Sequence, residues 1–305
     1  MDEKTRKEFE ELYSELFEAI NDIKNSNGKR RNTKEIGLSY TRFTAMHGNR
    51  YWKDENGKEN AIRFMLVGRA VNGWGEYSGE DESKQSFIKS SIDNFLNEKC
   101  SLSKSNDDAK DRFEWIVTPE NDSPHNTFRE GIDKEEEREE RGTYKLTGSP
   151  FWSYTKNIWD ILNGGRDSLW NERWFEKIAW TNLYKIAPTG FTEKDGKRIT
   201  WGANPNTTEC KKQLEVCKKL LGAEIEFFKP THILFVTDKA GWYDDFGDHL
   251  EKSFYAKNIK EIDNEFVKKT MEYIIGNTVC KVVVVCRPET RPKENYVKIV
   301  SECFL

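Results

Sequence analysis

The residues of this chain best equipped for chemistry stand directly behind its most apolar segments. Ile62 to Val67 leads into Gly68-Arg69-Ala70-Val71-Asn72-Gly73-Trp74-Gly75-Glu76-Tyr77. The glycines of this stretch permit close backbone approach or positive φ. Arg69 can take an anionic or base-like ligand, or close an internal salt bridge to Glu76 or Glu289. Asn72 can orient water or a ring edge, or simply tolerate a left-handed turn before Gly73. Trp74 can stack on a planar ring or plug the core, and Glu76 is the nearest carboxylate able to act as a base. Ile178 to Tyr184 carries Thr181-Asn182-Leu183-Tyr184-Lys185, whose Asn182 amide presents a donor and an acceptor together, the equipment for reading an amide-like base edge. Lys185 is placed to contact phosphate or to snorkel beside the sheet. Val279 to Cys286 runs into Arg287-Pro288-Glu289-Thr290-Arg291-Pro292, where two prolines fix a loop carrying Arg287 and Arg291, side chains suited to oxyanions and phosphates.

The elements that must position these residues follow from periodicity. Phe9, Leu12, Tyr13, Leu16, Phe17, Ile20 and Ile23 form a helical stripe over 6–24, and helices are also predicted over Ser86 to Leu96, from Pro150, from Thr207 to Ile225, over Ala240 to Phe254 and over Lys293 to Phe304. Ile62 to Val67, Ile178 to Tyr184, His232 to Val236 and Val279 to Cys286 lack alternation, as strands buried on both faces do. Val267 to Ile275 reads as a hairpin partner of the last, turning at Gly276-Asn277. Strands separated by helices predict a three-layer α/β/α sandwich with a mostly parallel, four-stranded central sheet. Ligands bind beyond the carboxyl ends of such strands, which gathers Arg69, Arg287 and Arg291 at one crevice. Residues 1–60 read as a helix and a long ordered loop packed on the core, and 61–305 as the main domain, with a polar insertion at about 97–147. Within it, Lys134 to Arg141 contains only charged residues and reads as a solvated face or a protein-binding segment.

Composition narrows the function classes. A net charge of −4 gives no general attraction to phosphate backbones, so nucleic-acid binding requires a local basic groove. The apolar runs are far shorter than the ~18 residues of a membrane span. The N-terminus lacks a secretion signal, which makes the cytoplasm the expected address. Six cysteines without a Cys-x-x-Cys pair, and four histidines without metal spacing, predict neither disulfides, metal nor cluster. Gly68-x-x-x-x-Gly73 lacks the Lys and Ser/Thr of a phosphate-binding loop and the spacing of a dinucleotide fingerprint.

Taken in order, Leu66-Val67-Gly68-Arg69-Ala70, Trp180-Thr181-Asn182-Leu183-Tyr184-Lys185, the run from Asn204-Pro205-Asn206 to Lys229-Pro230-Thr231-His232-Ile233-Leu234-Phe235-Val236, and Val282 to Pro288 resemble the uracil-DNA glycosylase superfamily over about residues 60 to 300, the insertion excluded. The resemblance implies hydrolysis of an N-glycosidic bond of a flipped base. Asn182 would bind the base, with Arg69 and Trp74 beside it. Asn72, Glu76 and Arg287 would act in catalysis, Lys185 and Arg291 at phosphate. Where the family holds a carboxylate, Asn or Glu after strand one, this chain has Arg69 and Ala70. Where it holds His-Pro-Ser, this chain has Arg287-Pro288-Glu289. No cofactor is implied. A protein that keeps the crevice and binds DNA or a nucleotide without chemistry is the alternative, and a protein-interaction module is a third reading.

Overall fold

The computed structural model describes residues 1–27, 35–48, 50–54, 56–70, 76–77, 82–96, 149–165, 174–194 and 197–305. In chain order the elements are α1 (Glu3–Asn27), β1 (Glu35–Arg42), β2 (Met46–His47), β3 (Phe64–Ala70), β4 (Glu76–Tyr77), α2 (Lys84–Phe95), α3 (Pro150–Leu162), a 3-10 turn (Trp174–Lys177), β5 (Ile178–Tyr184), β6 (Ile186–Lys194), β7 (Lys197–Gly202), α4 (Thr207–Phe228), β8 (His232–Val236), a π-helical turn (Lys239–Tyr243), α5 (Asp244–Ser253), β9 (Lys257–Glu261), β10 (Val267–Ile275), β11 (Thr278–Val285) and α6 (Lys293–Glu302).

The central sheet has seven strands rather than the four expected, in the order β2-β5-β3-β8-β11-β10-β9. Its middle is the expected part: β5, β3, β8 and β11 pair in parallel. β2 adds antiparallel to β5, and the β10–β11 hairpin turns at Gly276-Asn277 and is extended by β9. The parallel strands are apolar without alternation because both faces are covered. Met65, Val67, Ala179, Leu183, Ile233 and Phe235 face a core built with α1, α2, α4 and α5. Phe64, Leu66, Ile178, Trp180, Leu234 and Val236 face a second core built with α3 and α6. This is a mixed α/β fold with helices on both faces of a largely parallel sheet.

Three features depart from the sequence expectations. The stretch 28–60, expected as loop, contains β1 and β2, whose polar residues hide the period of a strand. A second, antiparallel sheet forms in the order β4-β1-β6-β7. The first core strand runs to Ala70 rather than stopping at Val67, so Gly68 and Arg69 are strand residues.

The chain passes from one sheet to the other at Lys185, and Gln213 of α4 makes that break tolerable. Its buried amide oxygen accepts the backbone N–H groups of Lys185 (3.1 Å) and Ile186 (2.8 Å), and its Nε2 donates to Ile186 O at 2.9 Å. A side chain thus replaces the ladder partners lost where the strand changes sheets. α4 itself starts from a reciprocal cap between Asn206 and Glu209 and ends at Lys229, whose left-handed backbone precedes Pro230.

Candidate base-binding crevice

The carboxyl ends of β5, β3, β8 and β11 lie side by side, and side-chain parity decides which residues face which layer. In β3 and β5, Gly68 pairs with Asn182. Both continue the face of Leu66 and Trp180, toward α3. Asn182 is 2% exposed, and its Nδ2 has no hydrogen-bond partner. The space it occupies exists because residue 68 is glycine: a Cβ there would lie 2.3 Å from Asn182 Oδ1 and 3.7 Å from the Phe151 ring. Around this amide an aromatic wall is assembled from α3 and its neighbours. Trp152 lies 5.0 Å from Trp180, Phe151 lies 5.0 Å from Trp152, and Phe43 packs on Trp180 at 4.9 Å.

Arg69 falls on the opposite parity and meets the turn after β8. Its Nε donates to Thr237 O at 2.8 Å, its Nη2 forms an ion pair with Asp238, and its guanidinium lies 4.8 Å from the Trp242 ring centre. The internal salt bridge expected to Glu76 or Glu289 is made instead to Asp238 among the described residues. Burial, and then the nearby Arg287, push the Arg69 pKa down to about 10, against the pull of Glu289. Arg69 remains a cation at neutral pH.

Asp238 links β8 to the last loop. Its N–H donates to Val285 O at 3.0 Å, and its Oδ1 accepts from the Arg287 N–H at 3.1 Å. Its backbone has φ 60, left-handed for a non-glycine residue. Arg287 in turn makes a two-point ion pair with Glu289, its Nε donating at 3.0 Å. Arg291 reaches Glu265 at 3.5 Å, while its carbonyl accepts from the Tyr154 hydroxyl at 2.6 Å. Tyr296 holds the start of the same loop through Cys286 O at 2.7 Å. Arg69 and Arg287 thus share one mouth, as expected, and Arg291 sits on the loop beside them.

Lys185 does not reach that mouth. Its parity is that of Thr181, so it turns under α4, where its Nζ donates to Glu224 Oε2 (2.7 Å) and to the Thr181 hydroxyl; Lys185 is 1% exposed. Burial raises the Glu224 carboxyl even with this cation beside it. Lys185 therefore holds β5 onto α4 and contacts no solvent-borne phosphate. Asn72 and Trp74 lie outside the described residues, as does the insertion at 97–147; for Glu76 the backbone is placed in β4, but its side chain is outside them. His232, expected to be structural, is at the opposite end of β8. There its Nδ1 meets the Thr231 hydroxyl at 2.9 Å.

Sequence reasoning gave no role to Asp238 or Trp242 at the end of the third strand and favoured core packing for Phe151. Asp238 carried a readable signal, a carboxylate two residues past a buried strand, while Phe151 is indistinguishable by pattern from its core neighbours. Among the described residues no three His, Cys, Asp or Glu side chains cluster as a metal site, and no helix is long and apolar enough to cross a membrane. No protein-family model matches the chain, and no curated protein is significantly similar to it.

Proposed function

We propose that this chain is a divergent uracil-DNA glycosylase-like protein that takes a base out of a nucleic-acid strand, holds it at Asn182 and hydrolyses its N-glycosidic bond. The observation that carries the reading is the buried, unpartnered Nδ2 of Asn182 at the carboxyl end of the parallel sheet. A ring presenting a carbonyl next to an N–H, as uracil, thymine and hypoxanthine do, supplies an acceptor for Nδ2 and a donor for Oδ1. Phe151, beside the Gly68 position, offers a ring on which the base stacks. Arg287 stands where the departing base gathers negative charge, and Arg291 beside the strand's phosphates. Asn72 and Glu76 are the water-positioning residues of this reading. The order of the parallel strands, second, first, third, fourth, is compatible with the resemblance read from the sequence.

A second reading keeps the crevice and drops the chemistry. It is favoured by Arg69-Ala70 at the end of β3, where the resemblance leads one to expect a carboxylate, Asn or Glu. The separating experiment uses a fluorescent single-stranded oligonucleotide carrying uracil, hypoxanthine, thymine or cytosine, with binding by anisotropy and base release by alkaline strand cleavage. A glycosylase binds and releases a carbonyl-bearing base, and Asn182→Ala lowers that release. Asn182→Asp shifts preference toward cytosine, whose amino group needs an acceptor. Binding without release leaves the second reading, and absence of binding at low salt refutes both.

A further inference from the structure

We propose that the outer edge of the central sheet, from Tyr255 at the end of α5 along β9, docks a single-stranded nucleic acid, with Tyr255 stacked on one base and Lys257 and Lys260 at its phosphates. The proposal rests on the reading above for its class of ligand and locates the strand whose base that reading brings to Asn182.

Tyr255 is the first support. α5 ends in a two-bond turn, in which the Ala256 N–H donates to Glu251 O at 2.9 Å and the Tyr255 N–H to Lys252 O at 3.4 Å. A helix end of this kind places the residue at the Tyr255 position in the left-handed region, where glycine is the usual choice. Here a tyrosine adopts φ 47, a strained conformation for a bulky side chain. Core packing offsets such strain where an aromatic is buried, but Tyr255 is 74% exposed. The fold gains neither a relaxed turn nor apolar burial from this residue. An exposed ring on a fixed turn is what stacks on an unpaired base, and every base has a face to offer it.

Charge is the second support. All five residues of β9 are exposed. The carboxylates around this edge are engaged: Glu251 by Lys269 at 2.6 Å, and Glu261 by Lys269 at 3.4 Å and Lys239 at 3.6 Å. Glu272 lies opposite Lys257 in β10, yet accepts from Asn258 Nδ2 at 2.7 Å. Among the described residues Lys257 and Lys260 have no carboxylate partner, in contrast to the arginines of the mouth. Their neighbours in β10, Glu272 and Thr270, are two residues apart, so both lysines stand on one face of the sheet. β9 and β11 both pair antiparallel with β10, which gives β9 the direction of the parallel strands. Its last residue, Glu261, therefore lies at the mouth end, where it meets Lys239, the neighbour of Asp238. From Tyr255 to Lys260 the extended chain spans at most about 17 Å, the length of about five nucleotides at the spacing of phosphates along one strand.

Lysines also guard a sheet edge against another strand. So does the left-handed Asn258 beside the register break between Thr270 and Glu272. Both devices disfavour a peptide or a second copy adding to β9, and neither calls for an exposed tyrosine. A nucleic-acid strand uses the lysines and the ring together.

The test measures anisotropy of fluorescent oligothymidine with the full chain across a salt series. Two lysine contacts to a single strand give a log–log salt slope of about −1.4, or about sevenfold between 50 and 200 mM, and Lys257→Gln/Lys260→Gln removes most of it. In Tyr255→Gly, glycine suits the left-handed turn, so the variant melts no lower than wild type, yet it binds about tenfold more weakly with the slope unchanged. Tyr255→Phe keeps the ring and restores binding. Unchanged affinity in Tyr255→Gly, or a slope unmoved by the double lysine variant, overturns the docking edge. So does retention of wild type but not Tyr255→Gly on phosphatidylserine-containing vesicles while both bind oligothymidine equally, which gives the edge to a membrane surface. Base release from a uracil-bearing oligonucleotide separates the two readings. Release by wild type together with edge variants that bind normally refutes the edge alone, whereas weakened binding in the edge variants without release by wild type keeps the edge and refutes the glycosylase. Absence of oligonucleotide binding at low salt overturns both.

Discussion

Introducing a single methyl group at Gly68 tests the geometry of the crevice independently of any activity. A Cβ at this position would lie 2.3 Å from Asn182 Oδ1, about an ångström inside ordinary contact, and 3.7 Å from Phe151 Cε2, which is comfortable. The conflict is therefore with one side chain. β3 is held between β5 and β8 by parallel ladders, so the strand cannot move away, and Asn182 must leave its position. Overpacking of this kind costs about 1–3 kcal/mol. Asn182→Ala alone removes the obstructing oxygen together with the unpartnered Nδ2. The lost packing and the relieved desolvation oppose one another, so its stability stays within about 1 kcal/mol of wild type. In Gly68→Ala/Asn182→Ala the clash is absent, and the double variant is more stable than Gly68→Ala by at least about 1 kcal/mol. Urea unfolding of the four proteins gives the coupling directly. Additive effects, within about 0.3 kcal/mol, would show that Asn182 does not lie against Gly68 and would remove the structural basis of the proposed base-binding site.

Three further outcomes are expected. Lys185→Met leaves the Glu224 carboxylate buried without its cation and destabilises by about 3–5 kcal/mol, most of which Lys185→Met/Glu224→Gln recovers; chemical denaturation measures both, and equal losses in the two variants would contradict a fully desolvated pair. His232 is pulled down to about 4 from 6.5 by burial and by Lys281, so the folded protein prefers it neutral. Its stabilising contribution is full above pH 6.5 and is lost as pH falls toward 4, by about 2 kcal/mol after allowing for partial exposure, and His232→Gln removes that part of the pH dependence in urea titrations. A pH dependence unchanged by the substitution would refute it. Finally, Arg69, Arg287 and Arg291 are balanced at the mouth by Asp238, Glu289 and Glu265. Oligonucleotide affinity should therefore fall by only about tenfold between 50 and 200 mM salt, against the thousandfold or more of a multi-phosphate groove; a steep anisotropy slope would place strong phosphate contacts outside this mouth.

The four parallel strands and their flanking helices were legible because burial on both faces leaves an apolar run, closed here by Gly68, Lys185, Thr237-Asp238 and Arg287. β11 illustrates it: Val282 to Val285 has no polar residue to give it a face. β1 and β6 were not legible, since they pair in a sheet of their own and mix Ser, Thr, Lys and Arg with isolated aromatics. At the site, Asn182 and the gathering of Arg69 with Arg287 followed from strand order alone. Lys185 did not, although parity would have placed it: Thr181, Leu183 and Lys185 share the α4 face, whereas Trp180 and Asn182 share the α3 face. The Arg69 partner was unreadable, because Asp238 reaches it only through a left-handed turn that local sequence does not specify.

Asn182 differs from most buried polar side chains of the fold in leaving a donor unpaired at the carboxyl end of the parallel sheet. Gln213 spends its oxygen and nitrogen on the chain crossing at Lys185, Tyr184 donates to Asp245, and Tyr296 donates to Cys286 O. Other unpartnered atoms include the Tyr51 hydroxyl and the Trp159 indole N–H, on large side chains whose burial offsets the loss, and the small hydroxyls of Ser91 and Ser301 on helices α2 and α6. Asn182, like those serines, has no such apolar compensation: a small amide, kept in place by a glycine opposite, carries a desolvated donor worth about 1–3 kcal/mol against folding. An apolar residue would fill the same space without that cost. In the reading proposed above, an acceptor from outside the chain would supply that partner, and the atom that rewards a carbonyl would leave an amino group facing it unpaired. In the proposed reading, affinity and discrimination therefore reside in one nitrogen, while the paired charges at the mouth hold the strand ends together.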